Sequence, residues 1–206
     1  MSFYRDNVLP RLQDKAMNRQ GTREVRARVC AGLTGRVLEI GFGTGLNVRY
    51  YPPEVTTVLA VEPSGVCMRM AAPRISSSST AVEHAGLTGE HLDLPSEEVD
   101  VALSTWTLCT IPDLSAALGE VRRVLKPGGT FFFVEHGHAP DAKTARWQDR
   151  LDPLNQRLAG GCHLTRRIAE SVVQAGFEME HLDQYYAEGE PKPWGYTYEG
   201  RAKKMA

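Results

Sequence analysis

The segment Val37-Leu38-Glu39-Ile40-Gly41-Phe42-Gly43-Thr44-Gly45 constrains this chain more than any other. An aliphatic run of strand character enters a turn with glycine at three alternate positions. Glycine tolerates positive φ and lets a ligand come close to the backbone. In open α/β sheets, nucleotide-like ligands sit at such a turn, beyond the carboxyl ends of the strands. The next segment, Gly45 to Tyr51, is expected to be helical, with its free N–H groups facing the loop.

The rest of the chain repeats this alternation. Strands are predicted over Arg36–Ile40, Thr57–Glu62, Thr80–Ala85, Asp100–Thr105 and Thr130–His136. Helical composition separates them at Ser64–Arg74 and Leu114–Leu125, the second with Asp113 and Ser115 as candidate caps. Lys126-Pro127-Gly128-Gly129 stops that helix. Asp141–Leu158 reads as a helix interrupted near Pro153, and Thr165–Ala175 as another. Phe177–Tyr186 and Tyr196–Lys203 read as a terminal antiparallel hairpin. Strand–helix alternation implies βαβ units and a sheet buried on both faces. No Pro/Gly-rich linker divides the 206 residues. A single domain is expected, with a helical cap over 1–33, a ligand-binding half over 34–136 and a second half over 137–206.

Charge and cysteine usage narrow the partners. The formal net charge is -1, which gives no electrostatic case for nucleic acid. Four cysteines without a Cys-x-x-Cys pair suggest neither a zinc knuckle nor a redox motif, and reduced thiols in a cytoplasmic protein are expected. Charges and a proline between Arg5 and Lys15 exclude a signal peptide or membrane span there, and no apolar run elsewhere is long enough to cross a bilayer.

The spacing of the glycine loop departs from the dinucleotide fingerprint Gly-x-Gly-x-x-Gly, because Leu46 stands where its last glycine would be. That argues against NAD and FAD. Glu39, just before the glycines, would repel a pyrophosphate and attract a cationic sulfonium bearing an ammonium. Glu62 ends the second strand, about 20 residues beyond the first glycine, where a carboxylate can accept both hydroxyls of a ribose.

Glu39-Ile-Gly-Phe-Gly-Thr-Gly45, Val61-Glu62-Pro63, Leu94-Pro95 before Val99-Asp100-Val101, and Leu125-Lys-Pro-Gly-Gly129 together resemble the class I S-adenosylmethionine-dependent methyltransferases. The resemblance implies a Rossmann-like doubly wound sheet of order 3-2-1-4-5-7-6, with the seventh strand antiparallel. It implies that Gly41, Gly43 and Gly45 wrap the methionine part of S-adenosylmethionine, that Glu62 and Pro63 meet the ribose, and that Gly86 and Leu87 lie beside the adenine. Many relatives carry an acid near Leu87; this chain does not. Thr105, Trp106 and Leu108 would border the methionine end.

The second half is similar to the methyltransferase-like proteins that methylate alkyl thiols. The similarity rests on Thr105-x-x-Leu108-Cys109, Val134-Glu135-His136, Leu151-Asp152-Pro153 and Gly161-Cys162-His163-Leu164-Thr165-Arg166. It implies a small thiol acceptor, with a quinone-like phenol, a phospholipid or an amine as alternatives, and a non-catalytic cofactor-binding protein as the rival of another class. His136 is the first candidate base, because histidine titrates near neutrality and this one ends a buried strand. Asp152 would orient a histidine or cap a helical turn. Cys162 is expected as a small buried apolar residue, and Arg166 as a partner of a thiolate or a substrate carboxylate, or in a surface salt bridge. His136, His138 and His163 match no zinc spacing, and no metal is expected. Trp147, Tyr185, Tyr186, Trp194, Tyr196 and Tyr198 could wall an acceptor pocket. Tyr4, Arg11 and Met17 of the N-terminal helix, residues 2 to 33, could cover the cofactor. The oligomeric state is left open.

Overall fold

The computed structural model describes residues 4–205. Seven strands form one sheet: β1 Gly35–Ile40, β2 Val55–Val61, β3 Ala81–Gly86, β4 Val99–Thr105, β5 Leu125–His136, β6 Phe177–Tyr186 and β7 Tyr196–Lys204. Their order is β3-β2-β1-β4-β5-β7-β6. Strand β7 runs antiparallel to both neighbours, so the sheet has the doubly wound, seven-stranded form expected.

The strands form here because both of their faces are apolar. Along β1, Val37 packs on one face and Leu38 on the other; Val58 and Leu59 of β2, and Val101 and Ala102 of β4, alternate likewise. Helices α2 Gln20–Cys30 and α3 Gly65–Ser76 cover one face, and α4 Leu114–Val124 and α6 Ile168–Gln174 the other. Phe131 and Phe133 are fully buried in the second layer, each worth roughly 1.5–3 kcal/mol by transfer from water. Asp113 caps α4 by accepting a hydrogen bond from Ala116 N at 2.9 Å; Ser115 lies within the helix and is not the cap.

Four helical expectations are corrected. The segment after the glycine loop is only a 3-10 turn, Val48–Tyr50. Gly45 at φ +74° delays the helix, Tyr51 precedes Pro52, and Asn47 turns inward to the Glu39 carboxylate. Helix α5, Ala142–Leu158, runs through Pro153 without interruption. Side-chain anchors hold the helix on both sides of the lost N–H: Gln148 donates to Gly137 O and Pro193 O, and Asn155 donates to Cys162 O. Thr165–Arg167 is not helical, because Arg166 O accepts from His138 N and ties this stretch to the chain leaving β5. The N-terminal helix is broken into a π-helical turn Tyr4–Val8, α1 Leu9–Ala16 and α2; residues 1–3 of the expected cap, like residue 206, lie outside the described residues. Between β6 and β7 the chain adds a single turn, α7 Lys192–Gly195.

The carboxyl ends of β1, β2, β4 and β5 meet at one rim. Gly41 N and Phe42 N both donate to Val61 O, at 3.0 and 3.1 Å, so the turn after β1 leans on the end of β2. Gly41 has φ +73°, and a Cβ there would lie 2.0 Å from Thr107 Oγ1, in the turn after β4. Glycine is therefore required by backbone angle and by close approach at once. Gly41→Ala is expected to lower stability by about 2–4 kcal/mol in urea unfolding, and by less in a Thr107→Gly background, where the clash is absent but the backbone strain stays.

Candidate active site

A cavity of about 700 Å³ opens along this rim. One end is built on Glu62, which is 7% exposed. Its Oε2 accepts from Gly43 N and its Oε1 from Ser64 N, each at 2.8 Å. Burial pushes its carboxyl above the ordinary value, against these two backbone N–H groups. Gly43 has no atom within 4 Å of its absent Cβ except Gly41 O at 3.8 Å, so its face is open. Pro63 and Leu87 continue this wall.

Helix α1 forms the rim above the glycine loop. Asp14 accepts from Thr44 Oγ1 at 2.5 Å and from both Arg74 terminal nitrogens at 2.8 and 3.1 Å. Burial raises the Asp14 carboxyl, yet Arg74 and Thr44 hold it below its ordinary value on balance. Of the N-terminal candidates, Met17 lines the cavity; Tyr4 donates to Leu158 O at 3.0 Å, and Arg11 donates to the Asn7 carbonyl.

Beneath the middle of the cavity lies a buried polar network. Arg26 Nη1 donates to Asn47 Oδ1 at 2.6 Å and to Thr105 Oγ1 at 2.9 Å. Asn47 Nδ2 donates to Glu39 Oε1 at 2.9 Å, and the Tyr51 hydroxyl donates to Glu39 Oε2. Burial pushes the Glu39 carboxyl up to about 7, against those hydrogen bonds and the Arg26 charge. Glu39 therefore stands behind the cavity wall and not in it; Arg26, Thr105 and Trp106 form the wall. The Arg26 guanidinium lies 4.8 Å from the centre of the Trp106 ring, and its Nε, buried, has no hydrogen-bond partner among the described residues.

The inner end carries His136, Cys109 and Cys162. His136 Nε2 lies 2.8 Å from Cys162 Sγ. A hydrogen bond from Cys109, then His136, holds the Cys162 thiol well below its usual range against burial. The same bond and burial push Cys109 up. Burial lowers the His136 imidazole, but the Cys162 sulfur and the Glu135 charge raise it on balance. Cys162 is buried with Cys109 and Leu164, as expected, and it also reaches the cavity wall beside His136.

Other expectations are also corrected. Asp152 does not line the cavity: it accepts from Leu164 N at 2.5 Å and Gln156 Nε2 at 2.6 Å and lies 3.5 Å from His163 Nδ1. It shapes the loop that carries Cys162. Arg166 forms no surface salt bridge among the described residues but donates to Leu108 O and Ile111 O, close enough to Cys109 and Cys162 to interact with their charge. Leu108 is fully buried, its N–H donated to Glu135 at 3.0 Å. Gly86 stays in the sheet, its carbonyl accepting from Glu62 N, and Gly45 faces away, against Ala71, Phe42 and Val48. His138 and His163 do not join His136. Of the candidate wall aromatics only Trp194 reaches the cavity. Three charged lining residues escaped the sequence reading: Arg26, Asp14 and Glu90. Glu90 lies three positions past Leu87 and brings a carboxylate to this wall.

Residues 38–133 match the model of a methyltransferase domain. The chain is 33% identical over 171 residues to thiol S-methyltransferase TMT1A of Homo sapiens, covering 80% of this chain and 68% of that protein. It is 33% identical over 151 residues to thiol S-methyltransferase TMT1B of Rattus norvegicus, where 71% of this chain spans 62% of the relative's length. Among solved structures, a SAM-dependent methyltransferase from Thermotoga maritima superposes with a TM-score of 0.69 at 22% identity, covering 98% of each chain.

The Glu39 network has a pH signature. Its carboxyl keeps a proton in the folded state up to about 7, against an ordinary value of 4.5. The folded chain then binds more protons than the unfolded one, so stability falls as pH rises through that window. The fall attributable to Glu39 is on the order of 3 kcal/mol. Urea unfolding between pH 4.5 and 8 is expected to show it in the parent and a flatter profile in Glu39→Gln.

Proposed function

Because the chain belongs to the S-adenosylmethionine-dependent methyltransferases, we propose that it methylates a small thiol held at the inner end of its cavity. One observation carries this reading. A single cavity runs from the glycine loop and Glu62 to the Cys109–His136–Cys162 wall, so donor and acceptor can meet inside it. Cavities of this size suit small molecules.

The residues present fit S-adenosylmethionine. Glu62 keeps lone pairs free beyond its two backbone bonds and would take the ribose hydroxyls. The open face of Gly43 admits a ligand against the backbone. Pro63 and Leu87 would flank the adenine, and Glu90 would accept from its amino group. Thr105 and Trp106 would border the methionine end. The orphaned Nε of buried Arg26 suits the carboxylate there, since an unpaired buried donor is costly. Bound in this way, S-adenosylmethionine supplies a methyl group on a positively charged sulfur, taken by in-line displacement.

The chain's own contribution is positional, and alignment alone supplies roughly 7–11 kcal/mol in well-oriented reactions. His136 and Cys162 stand where an acceptor must lose its proton. A thiol with an ordinary pKa of about 8.5 is already a few per cent thiolate near neutrality, so modest polarisation suffices. Asp152 acts as a positioning residue for the loop carrying Cys162. The thiol activity in the relatives' names supports this acceptor class.

Purified protein incubated with S-adenosylmethionine and a panel of ethanethiol, hydrogen sulfide, a phenol and an amine is expected to yield the methylated thiol or sulfide alone by mass spectrometry. A methylated phenol or amine without a thioether would remove the thiol reading. Glu62→Ala is expected to weaken S-adenosylhomocysteine binding at least about tenfold in calorimetry, since hydrogen bonds to a charged group contribute about 1.5–3 kcal/mol each; unchanged affinity would place the ribose elsewhere.

A further inference from the structure

Cys109, His136 and Cys162 come from three separate segments: the turn after β4, the end of β5 and the loop after α5. Their ligand atoms all lie within 4.8 Å of one another, and among the described residues this is the one such group of three or more cysteine, histidine and acidic side chains. All three line the cavity, although both cysteines are buried, at 1% and 5% exposure.

The segments carrying the two sulfurs are cross-tied. His163 N donates to Cys109 O at 2.8 Å, and Asn155 Nδ2 to Cys162 O at 2.8 Å. Arg166 reaches the carbonyls of Leu108 and Ile111, on either side of Cys109. The Glu135 carboxylate accepts from Thr107 N at 2.8 Å and Leu108 N at 3.0 Å. These bonds fix the backbone that carries both cysteines, and outer hydrogen bonds help to hold metal ligands in place.

We propose that Cys109, His136 and Cys162 bind a zinc ion whose fourth coordination position opens into the cavity. Two sulfurs and an imidazole suit this borderline-soft cation, and three protein ligands with one open position are the arrangement of catalytic zinc sites. Zinc–ligand lengths of about 2.0–2.3 Å set the donors about 3.5–3.8 Å apart, so the His136–Cys162 contact opens by under about 1 Å. Two thiolates neutralise the ion. The Arg166 charge nearby is balanced by Glu135, whose Oε2 is buried without a hydrogen-bond partner among the described residues.

The use of the open position rests on the thiol reading. An acceptor thiol entering it loses its S–H proton to water at the cavity mouth, and the electron pair left on sulfur forms the zinc–sulfur bond. The acceptor is then held as a thiolate, and neither His136 nor Cys162 has to serve as a base.

The test uses the reduced protein, stripped with a chelator and titrated with zinc against a chromophoric chelator, then with cobalt(II) as a spectroscopic substitute. One equivalent is expected to bind, with the intense visible bands of four-coordinate cobalt, sulfur-to-cobalt charge transfer in the near ultraviolet, and a shift of the visible bands on adding ethanethiol. Cys109→Ser and Cys162→Ser are each expected to weaken zinc binding at least about a hundredfold, beyond what outer-shell changes cost. Cys67→Ser, outside the cluster, should bind zinc like the parent. Circular dichroism and S-adenosylhomocysteine binding establish that the variants fold. Absence of stoichiometric zinc binding by the folded parent, or parental affinity in both serine variants, overturns the site; cobalt bands unmoved by ethanethiol overturn its open position. Zinc bound and ethanethiol coordinated, with no thiol methylated in the acceptor panel, upholds the site and overturns the thiol acceptor.

Discussion

The Glu62 carboxylate ties three pieces of the rim together. It takes the N–H of Gly43 from the turn after β1 and that of Ser64 from the start of α3, while its own N–H is held by Gly86 at the end of β3. The loop that lines the cavity is thereby fixed by a side chain that itself lines the cavity. Gly41 completes the arrangement from the other side, where Thr107 leaves no room for a Cβ. The cavity floor is thus determined by backbone geometry, and the side chains above it need only be small or correctly charged.

Behind this floor the charges are arranged by burial. Glu39 is so enclosed that its carboxyl is pushed to about 7, while Arg26 lies between Asn47 and Trp106 with Nε unpaired. A cation turned toward a cavity, backed by a titrating carboxyl, favours an anionic group on that wall. At the inner end the polarity differs: two thiols and an imidazole converge on one point, held by a tied set of loops. The two ends suit different partners, which is what a two-substrate transfer requires.

Much of this was legible in the sequence because the central strands are buried on both faces and read as continuous apolar runs. Gly41, Gly43 and Glu62 were legible because their spacing follows from one strand–turn–strand unit. The Val48–Tyr50 turn was not, since its composition is helical and the competing pull of Glu39 on Asn47 is tertiary. Arg26 and Asp14 sit on helices that reach the cavity only through packing. Glu90 lies three residues beyond Leu87, on a loop whose path no local pattern sets. Asp152 had the right chemistry for orienting a histidine, and it does approach His163, but that histidine does not face the cavity. Cys109 and Cys162 have no shared sequence spacing, so their meeting at His136 is visible only in three dimensions.

Donor and acceptor meet only if the cavity is filled in one direction, which a crystal structure of the protein with S-adenosylhomocysteine would reveal. Ribose hydroxyls are expected within hydrogen-bond distance of the Glu62 carboxylate, with the thioether sulfur turned toward His136 and Cys162. A ligand with its adenine at the Cys162 end, or bound away from Glu62, would contradict it.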